Sequence, residues 1–203
     1  MSKRLSLGTL AFFCFMAGAG REASAQNFLM NSAETINRGN FKISLFPTVL
    51  FGEDNADDNW GVGSRFGYGF TDSFDVEGKV AVFDGLTIYG ADAELWLLKG
   101  PVDFSMQLGG HFATGGDITD SKALDIAALA SGNVSRKLEL YGGLAVSFES
   151  LDDVPDSGFT RAYFVPGLEY KLAKDLDLLA EFGVGLNDDS PNYFSFGLAL
   201  YIR

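Results

Sequence analysis

His111 is the only side chain of this 203-residue sequence whose ordinary ionisation falls near neutrality. As a general base it would need an orienting carboxylate and either a nucleophile or an activated water. The nearest acids along the chain are Asp117 and Asp120, and Phe112-Ala113 follows where a His-x-Ser pattern would place a hydroxyl. These neighbours favour a structural or pore-lining histidine over a catalytic one. The acidic clusters suggest divalent-cation chemistry, and Glu53-Asp54-Asn55-Ala56-Asp57-Asp58-Asn59 is the densest. A calcium loop needs oxygens at alternating positions and a distal glutamate, which this spacing lacks. We expect a solvated loop, with weak calcium or magnesium binding as the alternative, and assign no metal-site residues and no cofactor. The glycines recur at strand period rather than in a strand-to-helix turn, so no phosphate-cradling loop is expected.

The remaining candidate chemistry is a set of charges that share one face of alternating segments. From Phe41 onward, period-two alternation predicts ten strands, at 41–51, 60–71, 74–83, 86–98, 102–113, 122–134, 138–149, 159–172, 176–187 and 193–203. The fourth and sixth are the weakest, so eight or twelve strands stay open. In the fifth, Val102, Phe104, Met106, Leu108 and Phe112 oppose Asp103, Ser105, Gln107, Gly109 and His111. Pro47 interrupts the first and marks a weakly paired point. Across the set, one face is oily. The other carries Gly, Tyr and the charges Lys42, Arg65, Asp75, Glu77, Lys79, Asp92, Glu94, Asp103, Asp125, Glu139, Glu149, Arg161, Glu169, Lys171, Asp177, Glu181 and Arg203.

Short connections such as Thr71-Asp72-Ser73 and Ala173-Lys174-Asp175 alternate with mostly longer, acidic ones such as 52–59 and 150–158. Aromatics cluster near strand ends on the oily face: Phe70, Phe74, Phe104 and Tyr170 toward the turns, and Phe51, Trp60, Phe112, Phe148 and Phe194 toward the loops. Short turns, long loops and two aromatic girdles predict an all-β fold, a transmembrane antiparallel up-and-down β-barrel over 41–203. An even strand number puts both termini on the turn side. A soluble barrel or sandwich is disfavoured, because a glycine-rich polar face suits a crowded interior better than a water-facing surface. With ten strands the lumen should be salt-bridged and nearly filled, and any conduction through it should prefer cations.

The ends set the compartment. Lys3 and Arg4, an apolar run from Leu5 to Ala19, and Ala23-Ser24-Ala25 before Gln26 predict a cleaved signal peptide at 1–25. Residues 26–40 show no period and are expected to be a periplasmic lead-in. Cys14 is the sole cysteine, so the exported chain has no disulfide. The net charge of −12 argues against nucleic acid as a partner.

Ser195, Gly197, Leu200 and Ile202 in the last strand, together with Gly-Tyr-Gly-Phe-Thr-Asp-Ser-Phe at 67–74, resemble small bacterial outer-membrane β-barrels of the OmpA-like and OmpW-like kind. The four terminal positions resemble their assembly signal, although the chain ends on Arg203 and its nearest ring, Tyr201, points inward. The resemblance implies the outer membrane of a Gram-negative bacterium. It also implies membrane lipid, lipopolysaccharide and the barrel-assembly machinery as partners, and a monomer. The expected function is non-enzymatic: envelope structure, surface interaction or integrity. A narrow cation-preferring channel is the alternative, and a rim enzyme using His111 comes third.

Overall fold

The computed structural model describes residues 28–52, 57–115, 120–152 and 157–203. The predicted signal peptide and the loop acids Glu53, Asp54, Asp117, Asp153 and Asp156 lie outside the described residues. Ten strands form: β1 Phe41–Leu50, β2 Asn59–Thr71, β3 Phe74–Phe83, β4 Leu86–Leu98, β5 Asp103–Thr114, β6 Ser121–Asn133, β7 Leu138–Leu151, β8 Phe159–Ala173, β9 Leu176–Gly185 and β10 Tyr193–Ile202. Each pairs antiparallel with its chain neighbours, and β1 pairs with β10 to close the barrel. The weak fourth and sixth segments are full strands of 13 residues each. Among the described residues, no helix is long and apolar enough to cross a membrane.

Alternation sends the two faces to opposite environments. Leu108, Leu144 and Phe66 face outward and are 58%, 56% and 53% exposed, while Arg65, Glu77 and Asp125 face inward at 1%. Polarity is therefore the reverse of a water-soluble barrel. On the outer wall, rings meet toward both ends, as in Phe70–Phe74 near a turn and Tyr89–Phe112 near a loop.

Inside, rings are accommodated by glycine on the neighbouring strand. Tyr141 lies over Gly167, Tyr193 over Gly183 and Phe83 over Gly61, each pair directly opposite in the ladder. Side chains at those glycines would occupy the ring positions. The β1–β10 seam uses the same device. Phe46 packs over Gly63 on one side and Gly197 on the other, and Thr48 and Ser195 share a hydroxyl hydrogen bond of 2.6 Å. At Phe46-Pro47 the pairing with β10 lapses and resumes in the same register, because proline has no N–H to donate. Bulges occur beside three of the turns, at Gly69/Thr71, Trp96/Leu98 and Lys171/Ala173.

The segment before β1 corrects the sequence expectation. Rather than lying outside the barrel as a lead-in, the chain from Phe28 to Ile36 runs through the lumen. Every residue there except Glu34 is buried. It runs from the loop half, where Phe28 meets Phe46, Phe83 and Tyr193, to the turn end, where the Gly39 N–H bonds the Gly69 carbonyl. Gly69 has to be glycine here, since a Cβ would collide with the carbonyls of Ile36 and Asn37. The physical reason is donor supply. The buried carboxylates of the wall outnumber its buried cations, and buried acceptors must be satisfied. The segment brings N–H groups and the carboxamide of Asn31 to them.

Candidate functional site

The lumen is the candidate site, and its charges form a connected band along the wall. Arg65 on β2 is its hub. Nε lies 3.1 Å from Glu77, one terminal nitrogen 2.9 Å from Asp92, and the other donates to the Phe28 carbonyl at 2.8 Å. Lys42 pairs with Glu77 at 3.2 Å. Lys79 bridges Asp92 and Asp125, both at 2.8 Å. Asp125 then meets His111 Nδ1 at 2.8 Å, and Glu149 meets Arg161 at 2.9 Å. Some of these pairs join neighbouring strands, as Arg65–Glu77 and Lys79–Asp92 do. Others reach past one or more strands, as Lys42 on β1 does to Glu77 on β3 and Lys79 on β3 does to Asp125 on β6. Buried pairs of this kind hold conformation more than they add net stability, since desolvation offsets attraction.

Two carboxylates stand apart from that band. Glu94 accepts from Asn31 at 2.6 Å, from Gln107 at 3.0 Å and from Ser105. Glu181 accepts from the Met30 N–H at 2.6 Å and from the hydroxyls of Tyr193 and Tyr141 at 2.9 and 3.1 Å. All these donors are neutral. Further along, the Ile36 N–H bonds Asp75 at 2.6 Å, and the Ala33 N–H bonds Ser131 at 3.2 Å. Asn31 also bonds Glu77 at 3.1 Å and accepts from Lys42 at 2.7 Å. The segment thus touches β1, β2, β3, β4, β6 and β9, which places it across the lumen rather than against one wall.

The other sequence-predicted lumen residues divide by depth. Arg65, Asp75, Glu77, Glu94, His111, Arg161 and Glu181 are buried in the lumen, and Lys79 is half-buried there. Asp103 is buried but serves the adjacent turn, accepting from the Gly100 N–H at 2.9 Å and from Trp96 at 3.2 Å. Glu139 and Glu169 face each other across the β7–β8 ladder near the turn end. Lys171 is exposed at that end and does not line the enclosed lumen. Arg203 pairs with the turn residue Asp175 at 3.2 Å instead of joining the inward charges. Of the terminal positions, Ser195 and Gly197 face inward at the seam, and Leu200 and Ile202 are exposed on the outer wall.

His111 is 1% exposed, and Asp125 orients its Nδ1. Nε2 has no hydrogen-bond partner among the described residues, and Glu149 lies 3.9 Å from it. Ser147 donates to Asp125 and not to the imidazole. Among the described residues, no group of three or more His, Cys, Asp or Glu is arranged to hold a metal ion.

Alternation alone missed the apolar part of the lumen. Phe83, Leu86, Ile88, Leu129, Val165 and Leu179 point inward and are buried, forming one cluster with Phe28, Leu29 and Met30. Apolar residues on the polar face were the available signal, as was the Phe28-Leu29-Met30 triplet that can cover them.

No family model matches the sequence, and no curated protein matches it. Solved structures that resemble the chain include outer-membrane β-barrels. A KdgM porin aligns with a TM-score of 0.46 at 13% identity, over 78% of this chain and 98% of that one. The outer membrane protein OprG from Pseudomonas aeruginosa aligns at 0.39 and 18% identity, over 85% and 100%. The outer membrane protein Ail of Yersinia pestis aligns at 0.43 and 16% identity, over 81% and 100%.

Proposed function

We propose that this protein resides in the outer membrane of a Gram-negative bacterium, is exported by a cleaved signal peptide, and has a non-enzymatic role in envelope structure, integrity or surface contact. The supporting observation is the inverted polarity of a closed barrel: a continuous apolar outer wall around a buried ionic interior. A ten-residue strand tilted by about 40° rises roughly 25 Å, which matches the apolar band of such barrels. Membrane lipid and lipopolysaccharide are the proposed contacts of the outer wall and loop end. The barrel-assembly machinery is the proposed reader of the last strand.

The burial of His111 and its commitment to Asp125 within the ionic band support a structural role for it. The test is electrophoretic migration of protein refolded into detergent, with and without boiling, alongside fractionation of expressing cells. A heat-modifiable band in the outer-membrane fraction is expected. Protein that stays in solution without detergent and migrates identically before and after boiling refutes the proposal.

A further inference from the structure

We propose that residues 28–36 are a displaceable stopper, and that the lumen they vacate is a path for small cations. The inference rests on the membrane-spanning reading above and goes beyond it. The segment is held by a few discrete backbone and side-chain hydrogen bonds and by the packing of Phe28, Leu29 and Met30. The N–H groups of Met30, Ala33 and Ile36 donate to Glu181, Ser131 and Asp75, and the Phe28 carbonyl accepts from Arg65. Among its side chains, Asn31 makes the specific polar contacts with the deep lumen, to Glu77, Glu94 and Lys42. It forms no continuous ladder with any strand. The backbone link recorded at its base is to Gly69, reached through exposed Asn37, Arg38 and Gly39. A wall strand could not leave without opening the barrel, whereas this segment can leave with every wall ladder intact.

Its departure would change the electrostatics in one direction. Asp75, Glu94 and Glu181 would each lose a donor, and the remaining donors to Glu94 and Glu181, from Ser105, Gln107, Tyr141 and Tyr193, are neutral. Lys42, Arg65 and Lys79 stay committed to Glu77, Asp92 and Asp125. An axial path left by an extended peptide would then be lined by carboxylates in excess, which favours cations over anions.

Planar-bilayer conductance tests this with two opened forms. One lacks residues 27–36. The other carries a site for a specific protease between Asn37 and Gly39 and is cut after folding, so that the barrel assembles with the segment in place. The intact protein should be silent, and both opened forms should give cation-selective steps. A synthetic peptide of residues 26–40 should block those steps, and Glu94→Gln with Glu181→Gln should lower cation preference several-fold. Opened forms that are heat-modifiable yet silent, or that prefer anions, overturn the stopper. So does an intact protein that conducts as well as they do. If no form is heat-modifiable, the membrane reading falls and takes the stopper with it.

Discussion

Arg65→Ala probes the hub of the interior. The guanidinium is 1% exposed and holds Glu77, Asp92 and the Phe28 carbonyl together. Removing one partner of a buried ion pair costs about 3–5 kcal/mol, because the other charge stays buried without compensation. Here the survivors are partly served. Glu77 keeps Lys42 at 3.2 Å and Asp92 keeps Lys79 at 2.8 Å, so the low end applies, about 3 kcal/mol. With a urea slope of about 1–3 kcal/mol per M, the unfolding midpoint should fall by roughly 1–3 M. Tryptophan fluorescence of protein folded into lipid vesicles follows the transition through Trp60 and Trp96. Lys122→Ala is the control: its pair with Asp152 is 59% and 44% exposed and should change stability by less than about 0.5 kcal/mol. A shift for Arg65→Ala no larger than that of the control would refute the hub.

Leu108→Arg and Leu144→Arg place a charge at mid-strand on the outer wall, and each should cost about 2–4 kcal/mol in vesicles if that wall faces lipid. Near-zero cost for both in the same unfolding assay would mean that the wall faces water. Gly167→Ala should displace the Tyr141 ring and cost about 1–3 kcal/mol by overpacking. In a Tyr141→Ala background the same change should be close to neutral, and equal costs in both backgrounds would show that the ring and the glycine do not interact. His111→Ala should leave lipid and peptide substrates processed no differently from the parent protein. Loss of a hydrolytic activity present in the parent would restore the enzymatic reading.

What was legible in the sequence was local in character. Alternation over Val102–Phe112 places β5 and its faces without further information, and the glycines at 61, 63, 167 and 183 hinted at neighbouring rings. Strand ends moved by only one or two residues. The stopper was not legible in this way. Met30 and Glu181 stand 151 positions apart, and Ala33 and Ser131 stand 98 apart. Such contacts have no period and depend on the barrel being closed first. Lys171 and Arg203 obeyed the alternation yet lie beyond the enclosed lumen, because period two assigns a face and not a depth.

The interior nevertheless contained the need for an internal partner. A ten-stranded wall carrying Phe83, Leu129, Val165 and Leu179 inward beside Asp75, Glu94 and Glu181 is better satisfied by a peptide than by water alone or by apolar filler alone. Water would leave the apolar group uncovered, and filler would leave the carboxylates without donors. A peptide segment meets both demands at once. Its side chains at Phe28, Leu29 and Met30 cover the apolar end, and its N–H groups reach the acids further down. The apolar head and polar tail of residues 28–36 lie in the same order as the two ends of the lumen they fill. That match fixes the direction in which the segment threads, from the loop half to the turn end.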